Sequence, residues 1–175
     1  MDLTQFEAGL REEGWGNLHH GSHFGVDFDL IGERRCLAAS KWNVLVKVLP
    51  VLDERTLATW TANFEDLCKR SKNLIRGRCF LLCLLAEKIP SELTGRLQGD
   101  ESALLDILRL DGGGGSLLVA DLTGLRVYGE MPLVPVDAHK FSKGVKDLLS
   151  DVVGAPPTPA AGPPPLPGST PPPLP

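Results

Sequence analysis

Residues 22–50, SHFGVDFDLIGERRCLAASKWNVLVKVLP, decide how the chain is read. Gly25 to Leu30 alternates apolar and acidic residues, the period of a half-buried strand with Val26, Phe28 and Leu30 facing inward. Gly32-Glu33-Arg34-Arg35 then reads as a turn, Cys36 to Ala39 as a returning strand, and Val44 to Leu49 as a third strand, apolar enough to be covered on both faces. Lys47 interrupts that third strand. A cation in a buried strand is costly unless it is paired, so Asp27 and Asp29 are its expected partners.

Outward from this stretch, 175 residues suffice for one domain with a substantial core. A net charge of −4 gives no whole-chain attraction to nucleic acid or to membranes, so a partner must be argued locally. Cys36, Cys68, Cys79 and Cys83 sit in apolar surroundings without a CxxC pair, which reads as buried reduced thiols. The acidic, amphipathic start lacks the basic and apolar regions of a signal peptide, and no apolar run reaches the roughly 18 residues of a membrane helix. A cytoplasmic protein is expected.

Thr4 and Glu7 have the spacing of a capping box, with Phe6 and Leu10 on one face of a helix that stops at Gly14. Leu18 to Ser22 is read as a loop or strand edge, with His23 closing it. Asp53 caps a helix to about Lys72, its apolar positions Leu57, Trp60, Phe64, Leu67 and Cys68 recurring at spacings of three and four. Cys79 to Ala86 is continuously apolar and reads as a central strand, parallel to the Val44 strand because a helix separates them. Short helices follow over 91–97 and 101–110, then strands over 116–120 and 125–128 joined by a turn, then a helix from Asp137 carrying Phe141, Val145, Leu148, Leu149 and Val152. The fold class is α/β with a mixed sheet, in the order α-β-β-β-α-β-α-α-β-β-α, forming one domain over residues 1–153.

The first half of that order, helix, three strands, helix, strand, comes with Phe6-Glu7 in the helix, Gly14-Trp15 after it and Gly25-Val26-Asp27 opening the meander. In this, residues 1–90 resemble the PD-(D/E)xK nuclease superfamily, nearest its Mrr-like restriction endonucleases. The resemblance implies a restriction-endonuclease-like fold, a divalent metal such as Mg2+ held by Asp27 or Asp29, an assisting Lys47, and Glu7 as the helix acid. The pattern is degenerate, however. The residue two before Lys47 is Leu45, which cannot ligate a metal, and Lys41 would put Ala39 there. The expectation is a nuclease-like frame that has lost nuclease chemistry, with no catalytic residue assigned.

Other polar groups are read more plainly. His19, His20 and His23 crowd the approach to Asp27, where imidazoles beside carboxylates suit a transition metal, but no regular element fixes their spacing and a polar loop is the reading taken. His139 is the remaining histidine. Gly112 to Gly115 lacks the Gly-Lys-Ser/Thr ending of a phosphate loop and reads as a connector. Lys69, Arg70, Lys72, Arg76 and Arg78 could touch phosphate, yet no aromatic residue is interleaved, and a solvated helix end accounts for them.

The composition changes at residue 154. Residues 155–175 hold eleven of the fifteen prolines and no charged or aromatic residue, so they cannot form a core and are expected to be a disordered tail. Pro163-Pro164-Pro165-Leu166-Pro167 and Pro171-Pro172-Pro173-Leu174-Pro175 are identical pentapeptides around Gly168-Ser169-Thr170. Proline fixes φ and pre-sets polyproline II, the form gripped by aromatic grooves of SH3, WW, GYF or EVH1 type. Sequence therefore points to a noncatalytic adaptor or regulator that binds a polyproline-recognition domain through the tail and another partner through its body. The alternative is a metal-dependent nuclease using Asp27, Asp29, Lys47 and Glu7 on nucleic acid.

Overall fold

A computed structural model describes residues 3–35, 41–71, 78–98, 115–129 and 136–154, excluding the side chains of 71, 78 and 136–142. The elements are α1 (Leu3–Glu12), β1 (Gly16–His23), β2 (Val26–Arg35), β3 (Lys41–Leu49), α2 (Glu54–Ser71), β4 (Arg78–Ala86), α3 (Ser91–Leu97), β5 (Gly115–Asp121), β6 (Arg126–Tyr128) and α4 (Val136–Gly154). One mixed sheet runs β1-β2-β3-β4-β5-β6. β3, β4 and β5 are parallel, and the other pairs are antiparallel.

Alternation along β3 and β4 divides the core. Leu45, Phe80, Leu82 and Leu84 face one layer with Leu57, Phe64 and Leu67 of α2 and Leu93 and Leu97 of α3. Val44, Val46, Leu81, Cys83 and Leu85 face the other, with Phe6 and Leu10 of α1 and Val145, Leu149 and Val153 of α4. Successive right-handed crossovers in one direction along the sheet put their helices on one face, which is why α2 and α3 share a layer. None of Cys68, Cys79 and Cys83 is in a disulfide, and burial pushes the Cys83 thiol pKa upward. No helix among the described residues is long and apolar enough to cross a membrane.

The helix from Asp53, the central parallel strand, the helix at 91–97, the hairpin and the last helix form as their sequences imply. The expected helix over 101–110, Cys36–Ala39 and the proline tail lie outside the described residues.

Three local readings are corrected or narrowed. First, α1 begins at Leu3, so Thr4 lies inside its first turn, and Glu7 pairs with Arg11. The helix end follows from Gly14 at φ 82°: Trp15 N–H donates to the Leu10 carbonyl at 2.9 Å and Gly14 N–H to that of Arg11 at 3.0 Å. A left-handed residue that satisfies the last carbonyls also turns Trp15 back onto Leu10 in the core.

Second, of the loop and strand-edge readings of Leu18 to His23 the strand holds, and residues 16–23 form the edge strand β1. Third, the expected turn Gly32–Arg35 is the far end of β2. Gly32 sits there for packing: a Cβ would stand 2.6 Å from Leu18 Cδ2 and 3.0 Å from Val44 Cγ1. Gly32→Val should therefore lower unfolding stability by about 1–3 kcal/mol in urea denaturation, because β-branching is forced against Val44 of the central strand.

At the start of α2, Asp53 Oδ1 accepts the Thr56 N–H at 2.7 Å. Hydrogen bonds from Thr56 hold its carboxyl below the ordinary value of 3.8. A depressed folded pKa means that the stabilisation is complete above the ordinary value and is lost as pH falls through the lowered one. Acid titration of thermal stability should accordingly show a shallower loss below pH 3.8 in Asp53→Asn than in the parent chain.

Candidate functional site

The acid–lysine cluster is built on a fault in β2. His19 pairs with Ile31 and Gly21 with Phe28, so β2 spends three residues where β1 spends two. This bulge breaks the simple alternation expected for Val26, Phe28 and Leu30. Phe28 and Ile31 bury toward α2, and Leu30 buries toward α1. Asp29 lies within the bulge, one residue before the Leu30–Val46 register pair with β3.

Its side chain is occupied there. Asp29 Oδ2 accepts the Val48 N–H at 2.7 Å, replacing a backbone carbonyl where the β2–β3 ladder stops. Lys47 Nζ stands 3.3 Å from Oδ2 and 3.4 Å from Oδ1. The pair is partly solvated, with Lys47 23% and Asp29 37% exposed at the side chain. The Asp29 carbonyl in turn accepts His20 Nδ1–H.

The remaining sequence candidates disperse. Asp27 pairs in register with Ser22 and is exposed. Glu7 lies on α1, which packs on the Val44–Val46 face, whereas Lys47 alternates with Leu45 and Leu49 on the α2 side, so the sheet stands between them. The structure thus joins Asp29 to Lys47 and brings in neither Asp27 nor Glu7 as a further oxygen donor. Among the described residues no group of three or more His, Cys, Asp and Glu is placed to hold a metal. A hard divalent ion takes six or more oxygens, and one shared carboxylate beside an ammonium does not fit it.

The histidines belong to β1, not to a loop. His19 Nδ1 donates to the Asn17 carbonyl at 2.7 Å, and the His23 ring meets Phe24 edge-on at 4.7 Å and Phe80 at 5.7 Å between centroids. The His139 side chain and the ten residues of the two PPPLP motifs, 163–167 and 171–175, lie outside the described set.

Sequence reasoning missed a cleft of about 680 Å³ between α2 and α3, lined by Leu57, Ala58, Thr61 and Ala62 of α2 and Leu93 of α3. The Ala58, Thr61, Ala62 and Glu65 spacing marks one helix face, but the cleft exists only once α3 lies beside it. The chain matches no protein-family model, no curated protein and no solved structure.

Asp29→Ala should cost about 1–3 kcal/mol in denaturant unfolding, since the Val48 N–H loses its acceptor. Lys47→Met should cost under about 1 kcal/mol, because a half-solvated ion pair contributes little net stability. Equal losses in the two variants would show that the ion pair, and not the backbone cap, is what Asp29 is for.

Proposed function

We propose that this protein is a noncatalytic adaptor whose proline-rich C-terminal segment is gripped by a polyproline-recognition domain while its α/β body meets a second partner. The observation that carries this reading is the exact repeat of Pro-Pro-Pro-Leu-Pro at 163–167 and 171–175. Two stiff ligands on a Gly-Ser-Thr spacer raise the effective concentration for a second contact or bridge two receptors. The body offers the α2–α3 cleft as a concave surface for its own contact. The finer identity of the frame, restriction-endonuclease-like, belongs to this proposal, supported by the α1-β1-β2-β3-α2-β4 order. Asp29, engaged as a strand cap and as the counter-ion of Lys47, supports a frame put to non-nuclease use.

The test compares the full chain with one ending at Gly154 against immobilised SH3, WW, GYF and EVH1 domains. At least one domain type should retain the full chain and release the shorter one, and Leu166→Ala with Leu174→Ala should weaken retention at least tenfold. Equal retention of both chains would remove the role of the tail. Magnesium- or manganese-dependent DNA cleavage that disappears in Asp27→Ala would replace the adaptor with a nuclease.

A further inference from the structure

The hairpin between β1 and β2 has an unfavourable tip. His23 pairs with Val26, so Phe24 and Gly25 are the two turn residues, and both have left-handed backbones, φ 52° and 81°. Glycine, asparagine and aspartate suit such a turn, whereas phenylalanine enters it against its own Cβ. The side chain is then left 41% exposed. The His23 ring backs it, edge-on at 4.7 Å between centroids, and itself lies 5.7 Å from the Phe80 ring. A bulky residue held in a sparsely populated backbone region, on rigid support and open to solvent, points to a use beyond stability.

Phe24 and Val26 line a pocket of about 220 Å³ with Asn63, Asp66, Leu67 and Arg70 of α2. That is below the roughly 300–1,000 Å³ of small-molecule sites and suits a side chain or two of a peptide. One turn back along α2, Trp60 is partly buried against Phe28, ring centroids 5.9 Å apart, so an aromatic side chain stands on the hairpin and another on the helix. Aromatic-lined grooves take polyproline II segments. Such a segment presents carbonyl acceptors and few N–H groups, so it needs donors. Asn63, exposed on the rim, carries side-chain N–H donors, and the Asp66 carboxylate is taken up by Arg70 at 2.6 Å.

We propose that this pocket holds a PPPLP motif of the chain's own C-terminal segment, so that a polyproline-recognition domain must compete with the body for its ligand. The inference rests on the reading of that segment as a polyproline ligand. Its composition fits: residues 155–175 carry no charge, and each motif offers a leucine to enter between Phe24, Val26 and Leu67. Its length fits as well. The motifs begin 9 and 17 residues beyond Gly154, about 28 and 53 Å at the 3.1 Å rise of polyproline II. A body of about 150 residues has a radius of gyration near 15 Å, so the segment is long enough to pass from the α1–α4 layer, where Val153 is buried, to the α2 layer. A ligand on such a short tether meets the pocket at an effective concentration of the order of millimolar, which lets a weak contact be occupied.

Photo-crosslinking of the full chain with p-benzoylphenylalanine in place of Phe24 tests this without any receptor. Irradiation should join position 24 to residues 163–175 within one chain, and Leu166→Ala with Leu174→Ala should reduce that product at least tenfold. The same label in place of Glu12, exposed on α1, should give no such product. If circular dichroism shows the chain labelled at position 24 to be unfolded, the label replaces Arg70 on the exposed rim, with the same expectation. With whichever SH3, WW, GYF or EVH1 domain retains the full chain, Phe24→Ala should tighten binding at least threefold and Leu125→Ala should leave it unchanged. Crosslinks to other segments, crosslinks to 163–175 only in covalent dimers, or receptor affinity unmoved by Phe24→Ala would overturn the proposal. Intrachain crosslinking without retention by any receptor domain would leave the docking standing and remove the adaptor reading; tail-dependent retention without crosslinking would do the reverse.

Discussion

Everything in this fold depends on the pairing of β3 with β4. The register runs unbroken from Lys41–Arg78 to Leu49–Ala86, and most side chains between those ends are buried. Two adjacent strands apolar on both faces cannot leave either face in water, so the chain must supply two covering layers. α2 and α3 cover one face as crossover helices; α1 and α4, from opposite ends of the described chain, meet on the other. Gly9 of α1 lies against Leu148 of α4, close enough that a Cβ would stand 2.3 Å from Leu148 Cδ1. First and last helices are thereby locked together over a sheet that neither could cover alone.

Two charged groups sit where this sandwich runs out. Lys47, near the end of β3, meets Asp29 at the point where the β2–β3 ladder stops, and the same carboxylate takes the backbone N–H of Val48. Asp121 ends β5 in a similar way: its Oδ1 accepts the N–H groups of Thr123 at 3.1 Å and Gly124 at 2.8 Å, closing the turn into β6. In both places an aspartate does the work of a missing backbone acceptor. An acid beside a lysine at a strand end is therefore equally well explained as ladder termination.

Much of the fold was legible because its signals are local and repeated. The 3.6-residue period from Leu57 to Cys68, the apolar run Cys79–Ala86 and the proline before α3 each admit one economical reading. What was lost in the meander has a physical cause. Gly32 looks like a turn former, but its missing Cβ makes room for Leu18 and Val44, a contact visible only across three strands. The alternation Val26, Phe28, Leu30 implied one face, whereas an extra residue in the bulge sends Leu30 to the other. At the candidate site the Asp29–Lys47 partnership could be foreseen from cost alone. The exclusion of Asp27 and Glu7 could not, because it depends on which way the bulge turns and on which side of the sheet α1 lies.

The two margins of the sheet share a character. β6 is three residues long, and β1 is interrupted by two register shifts, with Asn17 at φ 49° between its first pairs. A neighbouring molecule seeking to extend the sheet would find no straight run of vacant amide and carbonyl groups to zip onto. The most apolar strands in the chain are held at the centre, and irregular borders keep them from seeding a growing fibre.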